Sequence, residues 1–152
     1  MLLGIKHRSW VAFSGFVWFA VGVSLLYKGL QLVTQAVNEP GSFCRKFNDA
    51  QQCATILIAV GLLLGFVKGR LILSKTVKRV VSRIASLPLP IRMGQVYSKS
   101  YWFLIGGMVL LGMSFKYLPI PIDIRGAVDV AIGSALINGA MLYFRAAKAV
   151  AV

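Results

Sequence analysis

The side chains that most often carry chemistry are few here: one histidine (His7), two cysteines (Cys44 and Cys53) and four carboxylates (Glu39, Asp49, Asp123 and Asp129) among 152 residues. A Ser-His-acid relay needs its imidazole within hydrogen-bond reach of an acid. A zinc site needs three or four His, Cys or carboxylate ligands converging on one point. His7 precedes the first apolar run, and every cysteine and acid follows it. If that run crosses a bilayer, the histidine faces one compartment and its potential partners face the other. The expectation is therefore no enzyme, no metal site and no cofactor.

Three smaller constellations remain. Cys44 and Cys53 share one short polar segment; closing so small a loop with a disulfide stabilises a fold by about 2–3 kcal/mol in the chain-entropy treatment. Two unpaired thiols are the alternative, and eight intervening residues are not the CxxC spacing that activates a thiol. Asp129 lies near the start of an apolar run, with Lys28 and Lys116 near the ends of two others. An acid in the first turn of a helix is favoured by the macrodipole and could pair with either lysine. Its plain reading is an interfacial acid; its functional reading is proton or cation handling. Asn138, deep in apolar sequence, needs an amide partner, expected across helices at Ser14, Ser24 or Ser114.

The elements that position these groups are legible in the hydropathy. With 58% hydrophobic residues and a mean hydropathy of +0.77, the chain is more apolar than soluble domains. Residues 10–32, 54–73, 101–118 and 127–144 each approach the ~20 residues that a helix needs to cross hydrocarbon. The expected fold is all-α: an integral-membrane four-helix bundle in one domain. The first run lacks a small-x-small cleavage site and is expected to be an uncleaved span.

Net charge is +13, but the cations follow the topology and form no separable basic domain with stacking aromatics, which argues against nucleic acid. With both termini on one side, that side collects Lys6, Arg8, Lys68, Arg70, Lys75, Lys78, Arg79, Arg83, Arg92, Lys99, Arg145 and Lys148. The other side has Lys28, Arg45, Lys46, Lys116 and Arg125. Twelve against five places both termini in the cytoplasm, and leaves the loops 36–53 and 117–126 exterior or periplasmic.

Between the second and third spans, residues 75–87 alternate Val77, Val80, Val81, Ile84 and Leu87 with Lys75, Lys78, Arg79 and Arg83. That is a basic amphipathic helix. It either continues span two or bends onto the membrane surface, where each cation near anionic lipid contributes about 1 kcal/mol. Lys68 and Arg70 are expected at headgroup depth, with their stems in lipid. The phrases LPLPIRMG (87–94) and LPIPIDIRG (118–126) read as stiff extended connectors.

Gly61, Gly65 and Gly69 form one stripe at four-residue spacing; Ala131, Ala135 and Gly139 form another. Small residues let helix backbones approach closely, so the second and fourth spans are expected to pack together, within one chain or between chains. LLYKGL (25–30) and MSFKYL (113–118) hint at a duplicated helix pair. From these features the first expectation is a small transporter or channel, with Asn138, Asp129, Lys28 and Lys116 as its polar groups. An accessory or lipid-organising protein working through Lys68, Arg70, Lys75, Lys78, Arg79 and Arg83 is the alternative, and an intramembrane enzyme is the weakest. Expected partners are anionic lipid headgroups and, beyond them, further copies or a larger membrane complex.

Overall fold

A computed structural model describes residues 7–86 and 99–149; Lys6, Arg92 and the connector 87–94 lie outside them. Helix α1 (His7–Ala36) runs 30 residues, about 45 Å at ~1.5 Å per residue. Two of its serines bond back onto the helix: Ser14 Oγ donates to Trp10 O at 3.1 Å and Ser24 Oγ to Ala20 O at 2.8 Å. The helix ends where Asn38 and Glu39 turn back onto Gln35 O and Ala36 O. Gly41 follows at φ +111°, a backbone conformation that side-chain-bearing residues rarely adopt.

A short 3-10 turn (Cys44–Lys46) leads to α2 (Ala50–Lys68). Asp49 caps α2, its Oδ1 accepting from the Gln51 and Gln52 N–H groups at 3.1 Å each. No proline occurs between 41 and 87, so nothing stops this helix. It passes through a π turn (Gly69–Leu73) into α3 (Ser74–Ser86). The basic segment is therefore continuous with α2 through a π turn.

Helix α4 (Lys99–Tyr117) is followed by only four non-helical residues before α5 (Ile122–Ala149). Here the expected extended connector 118–126 is corrected. Pro121 stands just ahead of the helix and its carbonyl accepts from Arg125 N at 3.1 Å. A proline at a helix start loses nothing, because the N–H it lacks would be an orphan there. Asp123 thus occupies the first turn, and Asp129, placed there by the sequence reading, lies about two turns further in.

Three helices are long and apolar enough to cross a membrane: Ser9–Ala36, Ala50–Ser86 and Ile122–Ala149. They form the core, with α5 as the hub against both α1 and the α2–α3 rod. The α1–α5 pair is antiparallel. A Cβ added to Gly29 would meet Gly126 O at 2.7 Å, and one added to Gly133 would meet Gly22 O at 2.7 Å. The α2–α5 pair is parallel, since Gly61, Gly65 and Gly69 abut Ala127, Ala131 and Ala135 in step. Helix α4, although apolar, packs along none of the others among the described residues, and a Cβ at Gly106 or Gly107 would meet nothing within 4 Å. The closely packed unit is a three-helix core rather than four helices together. Its side-chain core is concentrated at one end, where Val11, Trp18, Leu73, Val77, Ile84 and Tyr143 are buried.

Candidate functional site: a cationic rod and a latched loop

The two ends of the core differ in chemistry. At one end, Cys44 and Cys53 are joined in a disulfide with their Cα atoms 5.4 Å apart. The loop so closed docks on α5. The Cys44 N–H donates to Asp123 Oδ2 at 2.7 Å, and Asp123 Oδ1 accepts from Ile124 N at 3.0 Å. Asp123 has no exposed surface, and both of its carboxylate oxygens accept from backbone N–H groups, which satisfies a buried polar group. The acid that most needs its surroundings is therefore Asp123, which the sequence reading ranked below Asp129. The missing signal was the helix start concealed by Pro119 and Pro121.

Asp129 is half-buried, with Lys28 and Arg125 as the charged groups acting on it. Lys116, the other expected partner, is exposed in the last turn of α4, a helix that does not join the core. Asn138 does not find its expected interhelical serine: its Nδ2 donates to Ser134 O at 3.0 Å, one turn back on its own helix. Ser14, Ser24 and Ser114 all donate within their own helices. A polar bond between helices is made instead by Ser134, whose Oγ donates to Leu62 O at 3.3 Å. This residue was overlooked because serine is common in apolar helices and usually bonds its own turn.

The seams between helices leave little room. A Cβ on Gly65 would run into Ala131 O and come within 2.8 Å of Ser134 Cβ; one on Gly69 would lie 2.7 Å from Ala135 Cα. Gly139 abuts Trp18 and Leu73. A second seam, absent from the sequence reading, joins Gly15, Gly22 and Gly29 of α1 to Tyr143, Gly133 and Gly126 of α5. Those glycines recur every seven residues, the period of a left-handed supercoil.

At the other end lies the cationic rod. The apolar side of α3 (Val77, Val80 and Ile84) is buried on α1 and α5. Lys68, Arg70, Lys75, Lys78, Arg79 and Arg83 are all exposed. Because Gly69 abuts Ala135, which is central in the 28-residue α5, Lys68 and Arg70 stand near the mid-height of the core. Span two taken alone puts them at headgroup depth; the register of α2 on α5 brings them level with the middle of α5. Their counter-charge does not come from side chains of this end: Glu39, Asp49, Asp123 and Asp129 all belong to the disulfide end.

The chain matches no protein-family model, no curated protein and no solved structure. Function is therefore argued from this geometry alone.

Proposed function

We propose that this is a non-enzymatic polytopic membrane protein that gathers anionic lipid at one face of the bilayer through the α2–α3 rod. One observation carries the reading. Lys68, Arg70, Lys75, Lys78 and Arg79 are exposed on a single continuous helix, the apolar side of its α3 part is occupied by packing, and no side-chain carboxylate among the described residues lies at that end. Such a surface draws its counter-charge from outside the chain, and the headgroups of anionic phospholipid are the anions that a membrane-embedded helix meets first.

A four-crossing topology with both termini in the cytoplasm belongs to this proposal. Helices α2 and α5 run parallel, so the chain between Ser86 and Ile122 has to return across the slab. Helix α4, with 19 residues, spans about 28 Å and is the element available for the return. The cation imbalance and a disulfide at the opposite end both favour placing the basic end in the cytoplasm.

Transport loses two of its supports, because the glycine stripes are filled by helix backbones and Asn138 is bonded to its own helix. Half-buried Asp129, with the charges of Lys28 and Arg125 acting on it, still favours cation or proton passage as a second reading. The deciding experiment reconstitutes the protein in vesicles of phosphatidylcholine with and without phosphatidylglycerol. Replacing Lys68, Arg70, Lys75, Lys78, Arg79 and Arg83 together by glutamine abolishes the preference for phosphatidylglycerol if the lipid reading holds. Loss of an ion flux in Asp129→Asn, with lipid preference absent from the unsubstituted protein, overturns it in favour of transport.

A further inference from the structure

The half of the core nearest the basic end has two unlike sides. Their heights are tied together by α5. A Cβ on Gly22 would lie 3.0 Å from Gly133 O and from Ile137 N, bracketing the Ala135 that Gly69 abuts. Gly22 of α1 and Gly69 of α2 are therefore level. From that height toward the basic end, α1 exposes Phe19, Val17, Phe16 and Phe13, nine residues in all from Gly22, or about 14 Å of helix. Over the same interval α2 and α3 expose Arg70, Lys75 and Lys78, with Leu71 and Ile72 between them, and Lys68 lies at its upper edge.

A flat hydrocarbon slab satisfies one side and not the other. If its edge lies beyond Phe13, cations are immersed in hydrocarbon; if it lies at Lys68, a row of phenylalanines stands in water. Snorkelling does not close a gap of about 14 Å, which exceeds the length of an extended arginine side chain. Ion pairing within the chain does not close it either, since the four acidic side chains are at the disulfide end.

Resting on the lipid reading above, we infer that the leaflet at the basic end is thinned on the α2 side alone, and that phosphates of anionic phospholipid descend there to Lys68 and Arg70. Lipid fits better than an acidic protein segment. Lys68 and Arg70 flank Gly69, which faces Ala135, and successive helix positions are about 100° apart, so the two cations lie on opposite sides of that contact and do not line one groove. Aromatic side chains at equal height on α1 keep the rest of that level in lipid.

The test uses the full-length protein with its disulfide intact, in vesicles of phosphatidylcholine containing phosphatidylglycerol. Spin labels are placed at two exposed positions through Leu71→Cys, two residues beyond Gly69, and, separately, Phe16→Cys, six residues beyond Gly22 and so about 6 Å nearer the basic end, where a flat slab would shield it less. The label at 16 is expected to be oxygen-accessible and shielded from a water-soluble nickel chelate. The label at 71 is expected to be several-fold more accessible to nickel. Lys68→Gln with Arg70→Gln should return position 71 to the shielded state and lower the phosphatidylglycerol retained in native mass spectra several-fold; Lys75→Gln with Lys78→Gln should leave position 71 accessible. Equal shielding at 16 and 71, with phosphatidylglycerol preference preserved, overturns the thinned leaflet and leaves the general lipid reading standing. Absence of phosphatidylglycerol preference in the unsubstituted protein overturns both, and an acidic protein retained in place of lipid overturns the lipid occupant.

Discussion

Gly65→Ala is the most direct probe of the core. The added Cβ would come 2.8 Å from Ser134 Cβ, against 3.4 Å for an ordinary contact, so the helices must part by at least 3.4 − 2.8 = 0.6 Å there, and by more at Ala131 O. The same movement lengthens the Ser134–Leu62 hydrogen bond from 3.3 Å to about 3.9 Å, outside useful range. Overpacking costs about 1–3 kcal/mol and the interhelical bond is worth about 0.6 kcal/mol. Alanine returns about 1 kcal/mol of helix propensity. The balance is a destabilisation of about 0.6–2.6 kcal/mol. Gly106→Ala meets nothing within 4 Å and is expected to be neutral or to stabilise by up to about 1 kcal/mol. Both variants are compared by reversible unfolding in mixed micelles, followed by near-ultraviolet circular dichroism of the Trp18–Tyr143 pair, whose rings lie 5.6 Å apart. If Gly65→Ala proves as stable as Gly106→Ala, the close approach of α2 to α5 is refuted.

Asp123→Ala strands the Cys44 and Ile124 N–H groups and should cost about 1.5–3 kcal/mol, whereas Asp123→Asn keeps an acceptor and should cost less; thermal unfolding in one detergent ranks them. Cys44→Ser with Cys53→Ser should lose about 2–3 kcal/mol through loop entropy, and in the unsubstituted protein thiols should react with a maleimide only after reduction. Asn138→Leu, which removes a bond within one helix, should cost under about 1 kcal/mol and leave phosphatidylglycerol preference intact. A large loss of that preference would tie Asn138 to the lipid surface.

Periodicity made parts of this architecture readable. The Gly61–Gly65–Gly69 spacing marks a helix face that another backbone must approach, and Ala131 and Ala135 supply its counterpart. Gly15, Gly22 and Gly29 carry the same information at a spacing of seven. Read one turn at a time, they look like isolated glycines; only the supercoil period joins them. Local rules also misled at the start of α5, because a proline that breaks a helix interior serves well ahead of its first turn, and the Asp129 argument moved with that boundary. For Asn138, a short amide can reach the carbonyl four residues back, and sequence does not say which partner wins. The depth of Lys68 and Arg70 depends on how α2 slides against α5, a tertiary register that no single segment encodes.

The placement of α5 has a consequence for assembly. Helices α1 and α2 touch one another little, and each finds its main partner in α5. Gly29 must wait for Gly126, 126 − 29 = 97 residues later, which at ~5–20 residues per second is about 5–20 s of synthesis. Through that interval α1, and later the α2–α3 rod, lack their main partner. The nascent protein is then most exposed to proteolysis and to membrane chaperones, and a ribosome that stalls before α5 leaves a product that cannot close.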